Sequence, residues 1–271
     1  MESRQAGVDV SIGVTPKTSG PALFASYAYP PNSLGYCGPD DPEALLGMAT
    51  DRTPPDRDMR HLAAQFAGAW PYLELISGCN GIPDPLDRRV VDAYWVGNAL
   101  LERVPGQALW RSLDQRFRAR AGSRFELMAA PVPLGCAPHH SFHVFCVYPW
   151  LGLLKAGMEN PALTVLDRCR IRWGTVESLC GDQVIVRNRV LEFSGSKLCL
   201  GPEVNECVSR SLDGVGFVED LVPGDTVSMH WDWVCERLGP DRVACLKRWT
   251  AHNLAAVNTV AVPGPAVATG V

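Results

Sequence analysis

Cys169-Arg170-Ile171-Arg172-Trp173-Gly174-Thr175-Val176 and Pro223-Gly224-Asp225-Thr226-Val227-Ser228-Met229-His230 are the two stretches on which the fold turns. The first sets a cysteine at the mouth of a β-strand. The second is a Pro-Gly-Asp turn feeding a strand that carries a histidine. Between them, residues 170–179 and 183–191 alternate apolar and polar about Cys180-Gly181-Asp182, a hairpin signal. Residues 198–200 and 205–209 form further short strands, and 225–233 closes the set. This spacing predicts a closed antiparallel barrel over 166–234, with Cys169 and His230 on neighbouring strands. A helix from Pro240 to about Asn258 would cap it.

Upstream, the pattern switches to a helical period. Asp41-Pro42-Glu43-Ala44-Leu45-Leu46 has an acidic N-cap followed by proline at the first helical position. Leu62, Phe66, Trp70, Leu73 and Ile76 recur at three- and four-residue steps over 58–77, where Pro71 kinks or splits the helix. Further helices are predicted over 84–104, 107–121 and 140–154, the last nearly all apolar and bent near Pro149. Tyr27-Ala28-Tyr29-Pro30-Pro31-Asn32-Ser33-Leu34-Gly35-Tyr36-Cys37-Gly38-Pro39-Asp40 reads as an aromatic loop that lines a pocket or packs as an N-terminal arm. The expected class is α+β, an N-terminal α-helical domain followed by a small OB-like β-barrel with a closing helix. The boundaries fall at 1–20 (disordered arm), 21–165 (helical domain), 166–258 (barrel and helix) and 259–271 (flexible tail).

Composition excludes several classes. A net charge of −4 over 271 residues disfavours a sequence-independent nucleic-acid binder, which needs a basic surface. No apolar run reaches the length of a membrane span, and residues 1–7 lack the apolar core of a signal peptide, so a cytoplasmic protein is expected. Ten cysteines without a Cys-x-x-Cys pair read mostly as small buried hydrophobes. No Walker, G-x-G-x-x-G or Gly-x-Ser-x-Gly sequence occurs.

The two opening stretches resemble the HypC/HupF-type chaperones of [NiFe]-hydrogenase maturation. Those proteins begin Met-Cys-x-x-x-Pro-Gly-x-Val, form an OB-like barrel, and carry a later Pro-Gly-Asp-(Tyr/Trp)-Val-x-Val-His strand before a C-terminal helix. Here Cys169 to Gly174 keeps the Cys-to-Gly spacing, with Trp173 at the family's proline. Pro223-Gly224-Asp225, Val227 and His230 keep the turn and histidine. The resemblance covers about residues 167–256; the family's cysteine is N-terminal, whereas Cys169 lies mid-chain. It implies that Cys169 and His230 bind cargo or a partner. The cargo would be iron, as an Fe(CN)2CO fragment, or another transition metal. The partners would be a hydrogenase large-subunit precursor or other maturation proteins. Arg168, Arg170 and Arg172 flank the thiol and would favour its thiolate, or they form a solvated strand face.

A second candidate is independent of that resemblance. Pro138-His139-His140-Ser141-Phe142-His143, near Cys136, concentrates half of the chain's six histidines. Cys136, His139, His140 and His143 could ligate Zn, Fe or Ni, yet no standard zinc spacing is present, and a structural cluster is the competing reading. Trp231-Asp232-Trp233 would place both indoles on one strand face, filling the seam between the blocks. The expected function is an accessory factor in [NiFe]-hydrogenase maturation. The alternative is a metal-dependent enzyme with its site in the helical domain.

Overall fold

The computed structural model describes residues 18–50, 57–148, 154, 159–194 and 197–260. The expected arm and tail fall largely outside these, as does the bend expected near Pro149. The N-terminal block consists of α1 (Gly20–Ser33), α2 (Pro42–Ala49), α3 (Arg57–Ala64), α4 (Trp70–Cys79), α5 (Arg88–Trp95), α6 (Gly106–Ala121), α7 (Phe125–Ala129) and a short α8 (His140–Phe142). Helix α8 widens at once into a π turn over His143–Val147. Helix α9 (Glu159–Cys169) then leads straight into the strands, so a boundary at 165/166 would cut a helix.

Several expected elements change for local reasons. The segment 27–40 is not a loop throughout: its first half belongs to α1, whose residues from Ala22 to Asn32 are all buried. Pro30 and Pro31 sit in the last turn of that helix, where their missing N–H groups leave the carbonyls of Ser26 and Tyr27 without intrahelical donors. Pro71 splits the 58–77 stretch, becoming a first-turn residue of α4. The helix expected over 84–104 stops at Trp95, because Gly97 adopts φ +98° and a Cβ there would meet the Trp249 indole at 2.3 Å. That glycine lets the C-terminal helix pack against the turn.

The C-terminal block holds β1 (Arg172–Cys180), β2 (Gln183–Ser194), β3 (Lys197–Ser209), a small β4–β5 hairpin (Ser211–Leu212, Val215–Gly216), β6 (Thr226–His230), β7 (Trp233–Arg237) and the closing helix α10 (Pro240–Thr259). The fold is α+β, and the sheet order β1-β2-β3-β7-β6 returns from β6 to β1. It is OB-like but mixed rather than wholly antiparallel. The β3–β7 seam is a single parallel pair, Ser209 with Trp233. The two segments expected at 198–200 and 205–209 are one long strand. The 225–233 strand is instead a hairpin, turned at Trp231 with φ +52°. Trp231 and Trp233 therefore do not share a strand face. Val176, Val184, Val186, Val208, Val227 and Met229 fill the barrel.

The two blocks share a core. One continuous apolar cluster runs from Phe24 and Tyr27 in α1 through Trp95 to Cys235, Leu246 and Trp249. Tyr27 Oη lies 2.8 Å from Ser228 Oγ and donates to Glu236 at 3.2 Å, pinning α1 to β6 and β7. Arg242 from α10 bonds both Asp92 and Glu236 across the same seam. Such a seam brings residues from both blocks into one site.

Candidate metal centre

Cys169 is the last residue of α9, not a strand residue. The backbone N–H of Trp231 donates to the carbonyl of Arg168 at 2.7 Å, which ties the end of α9 to the end of β6. Cys169 and His230 are therefore neighbours because two chain ends are bonded together, three residues before the Arg172–Met229 pair of the β1–β6 ladder. His140 enters from the opposite side, at the start of α8. His139 caps that helix, its Nδ1 accepting from the Ser141 N–H at 3.1 Å, and Asn253 of α10 braces Ser141 at 2.8 Å.

His140, Cys169 and His230 converge so that one ligand atom from each lies within 4.8 Å of the others, and all three residues are buried. In a tetrahedral site with ligand bonds of ~2.0–2.3 Å, such atoms stand about 3.5 Å apart. Small side-chain adjustments close the difference. Two imidazoles and one thiol form a borderline-soft donor set suited to Zn, Fe, Ni or Cu.

The hydrogen bonds around the two imidazoles orient them. Nδ1 of His230 lies 2.6 Å from the Tyr27 carbonyl, which can only accept, so the ring proton is on Nδ1. Its Nε2 has no hydrogen-bond partner and carries the free lone pair. This is the arrangement in which an outer carbonyl fixes the tautomer of a metal-binding histidine. His140 makes two contacts, Nε2 to the Cys169 carbonyl at 2.7 Å and Nδ1 to Tyr94 Oη at 3.0 Å. Tyr94 also donates to the Gly68 carbonyl at 2.9 Å.

Those three contacts have only two protons among them, one on the neutral imidazole and one on the phenol. One contact therefore lacks a proton. A cation at His140 Nε2 would take the place of the Cys169 carbonyl contact, leaving Nδ1–H to donate to Tyr94 and Tyr94 to donate to Gly68.

Burial sets the protonation states. Desolvation pushes the His230 pKa down to about 4, with the hydrogen bond to the Tyr27 carbonyl opposing it. Desolvation, helped by the His230 charge, holds His140 well below the ordinary histidine value. Both imidazoles are thus neutral ligands at pH 7.

The Cys169 thiol is pushed far up by the same burial, with Cys37 adding to the effect. The flanking arginines do not offset this. Arg170 is bonded to Asp167 and the Arg189 carbonyl, Arg172 to Glu206 and the Trp231 carbonyl, and Arg168 to Asp232. Arg170 and Arg172 are buried structural cations rather than activators of the thiol or a solvated face.

The four residues clustered at 136–143 do not form one ligand set. Only His140 joins the three-residue centre. His139 bonds Ser141, His143 Nδ1 meets Tyr72 Oη at 3.1 Å, and the free thiols of Cys136 and Cys146 share a hydrogen bond. Burial pushes both His139 and His143 down to about 3. His140 packs on Trp95 and Tyr94, whereas His143 finds Tyr72 and Tyr148. The role of the Tyr27 carbonyl was not visible in the sequence, where its only trace was a proline pair inside an aromatic run.

The centre opens on a cavity of about 140 Å3 walled by Phe66, Tyr94, Trp95, Tyr148 and Trp231. No carboxylate lines it among the described residues.

A family model spanning residues 16–263, nearly the whole chain, matches this sequence. The chain belongs to DUF6390, a family of unknown function. No curated protein and no solved structure matches the chain. Both blocks, and every residue of the centre, lie within the span of the DUF6390 model. Among the described residues of this DUF6390 protein, no helix is long and apolar enough to cross a membrane.

Proposed function

We propose that this DUF6390 protein binds a transition metal, or a metal fragment, at His140, Cys169 and His230. In that role it serves as a cytoplasmic accessory factor in [NiFe]-hydrogenase maturation. The observation that carries the metal reading is the convergence of three buried ligand atoms, with His230 Nε2 holding a lone pair that no protein donor uses. Support for the maturation role comes from the resemblance of the segments around Cys169 and His230 to HypC/HupF-type chaperones. The iron of an Fe(CN)2CO fragment is a suitable cargo, because a thiolate with imidazoles suits iron. Its partners would be the large-subunit precursor or other maturation proteins.

Two measurements test this. Metal analysis of the purified protein should find one bound transition metal, lost in Cys169→Ser and His140→Ala and kept in His139→Ala. Hydrogen uptake in the native host should fall in a deletion strain and in Cys169→Ser at equal protein level. Normal hydrogenase activity in the deletion strain would remove the maturation role. A retained metal would then favour a metal-dependent enzyme that uses the adjoining cavity for a small substrate.

A further inference from the structure

Three protein ligands, only one of them a thiolate, leave a charge problem. A divalent cation bound by neutral His140 and His230 and by the Cys169 thiolate carries a net charge of +1 within buried, mostly aromatic surroundings. An uncompensated buried charge is strongly disfavoured. No aspartate or glutamate among the described residues lines the cavity to neutralise it. The other ionisable groups on its wall, histidines apart, are three tyrosines and Cys37. A thiolate is the softer and more readily formed of those anions.

Cys37 belongs to a short flap that follows α1. Gly35 and Gly38 bound it with φ +73° and +82°, a backbone conformation that other residues adopt rarely. Asn32, at the end of α1, donates to the carbonyls of Cys37 and Pro39 and so anchors the base of the flap. Gly38 presses on Phe66, where a Cβ would fall 2.3 Å from the ring. Tyr36 stacks on Trp231 with centroids 4.1 Å apart, which ties the flap to the residue after His230. Tyr36 is itself 56% exposed, so the stack lies at the surface. Between Tyr36 and Gly38, the Cys37 side chain faces the cavity that Cys169, His140 and His230 also line.

We propose that Cys37 is the fourth ligand of this centre, brought in by the flap to give a charge-neutral site of two histidines and two thiolates. Cys37 lies outside the group of three already in mutual reach, so coordination requires the flap to settle inward. On binding, each thiol gives its proton to solvent, and the two thiolates balance the divalent ion. This inference rests on the three-residue centre proposed above. It adds that one ligand sits on a segment hinged by glycines, so that a competing thiolate from a partner could displace it and receive the metal.

Cobalt(II) substitution of the full-length protein tests the idea, because the sulfur-to-cobalt charge-transfer band grows with the number of thiolates bound. Wild type should bind one Co2+ with a two-thiolate band and the intense visible bands of a tetrahedral ion. Cys37→Ser should still bind one Co2+, with the charge-transfer band halved. Its affinity should fall by at least about tenfold, since loss of an outer-shell partner alone costs that much. Cys37→Ala should behave alike, and an unchanged thermal midpoint of both metal-free variants shows that the fold survives. A band and affinity in Cys37→Ser equal to wild type would overturn the Cys37 assignment while leaving the three-residue centre standing. Absence of any cobalt band from wild type would overturn both.

Discussion

His230 Nδ1 donates to the Tyr27 carbonyl at 2.6 Å, the carbonyl that Pro31 deprives of its helical donor. A proline in α1 and a histidine in β6 thus complete one another between the two blocks, through a bond that spans 203 residues of sequence. The bond docks the helical block on the barrel, and it turns His230 Nε2 toward the candidate centre.

A double-mutant cycle reads this bond. His230→Phe should destabilise the metal-free protein by about 1–3 kcal/mol, the cost of leaving a buried carbonyl without a donor. Pro31→Ala restores an N–H four residues after Tyr27, so Pro31→Ala/His230→Phe should be less destabilised than the two single changes added together. Urea denaturation of the four proteins gives the coupling. Strict additivity would show that the carbonyl is satisfied in some other way.

Stability should fall steeply in mild acid. The folded pKa values of His139 and His143 are about 3 and that of His230 about 4, all below the value of ~6.5 for an unfolded histidine. Between pH 6.5 and 4 the unfolded chain therefore binds protons that the folded chain refuses. Stability is complete above about pH 6.5, and each such histidine lowers it by up to about 1.4 kcal/mol per pH unit below that. Urea midpoints at pH 7, 6 and 5 check the sign. His143→Gln should flatten the slope, and a midpoint unchanged down to pH 5 would contradict the burial of these rings.

Metal uptake should likewise weaken as protons are added. Burial keeps the Cys169 thiol protonated in the metal-free protein, so binding releases at least one proton. Affinity should rise about tenfold or more per unit from pH 6 to 8, since the thiolate is the ligand. Competition with a chromophoric chelator at three pH values measures it. A flat profile would exclude the thiol from the coordination sphere.

Asp167 is the partner on which the buried Arg170 depends. Its Oδ1 accepts from the Arg170 guanidinium at 2.8 and 3.0 Å and from the Leu191 N–H at 2.8 Å. Asp167→Ala leaves that buried cation without its partner and should cost about 3–5 kcal/mol. A thermal or chemical melt reports it. A loss below about 1 kcal/mol would mean that water reaches the guanidinium.

The sequence by itself determined the order of the fold. The change from helical to alternating period, the Cys180-Gly181-Asp182 hairpin, the Pro-Gly-Asp turn and the helix from Pro240 depend on neighbours in the chain, and each appears where its local pattern puts it. Cys169, His230 and His140 were likewise visible as residue types out of the ordinary.

Tertiary structure alone decided how those residues combine. Two candidate sites, one per block, became one centre because the Trp231–Arg168 bond joins α9 to β6 while Asn253 of α10 braces the turn that presents His140. The same packing removed His139, His143 and Cys136 from the ligand set by giving each another partner. It also cancelled the expected effect of the arginines, whose charges are taken up by Asp167, Glu206 and Asp232 before they can act on the thiol. Hydrogen-bond partners and desolvation depend on which surfaces meet in space. Local patterning carries no record of that.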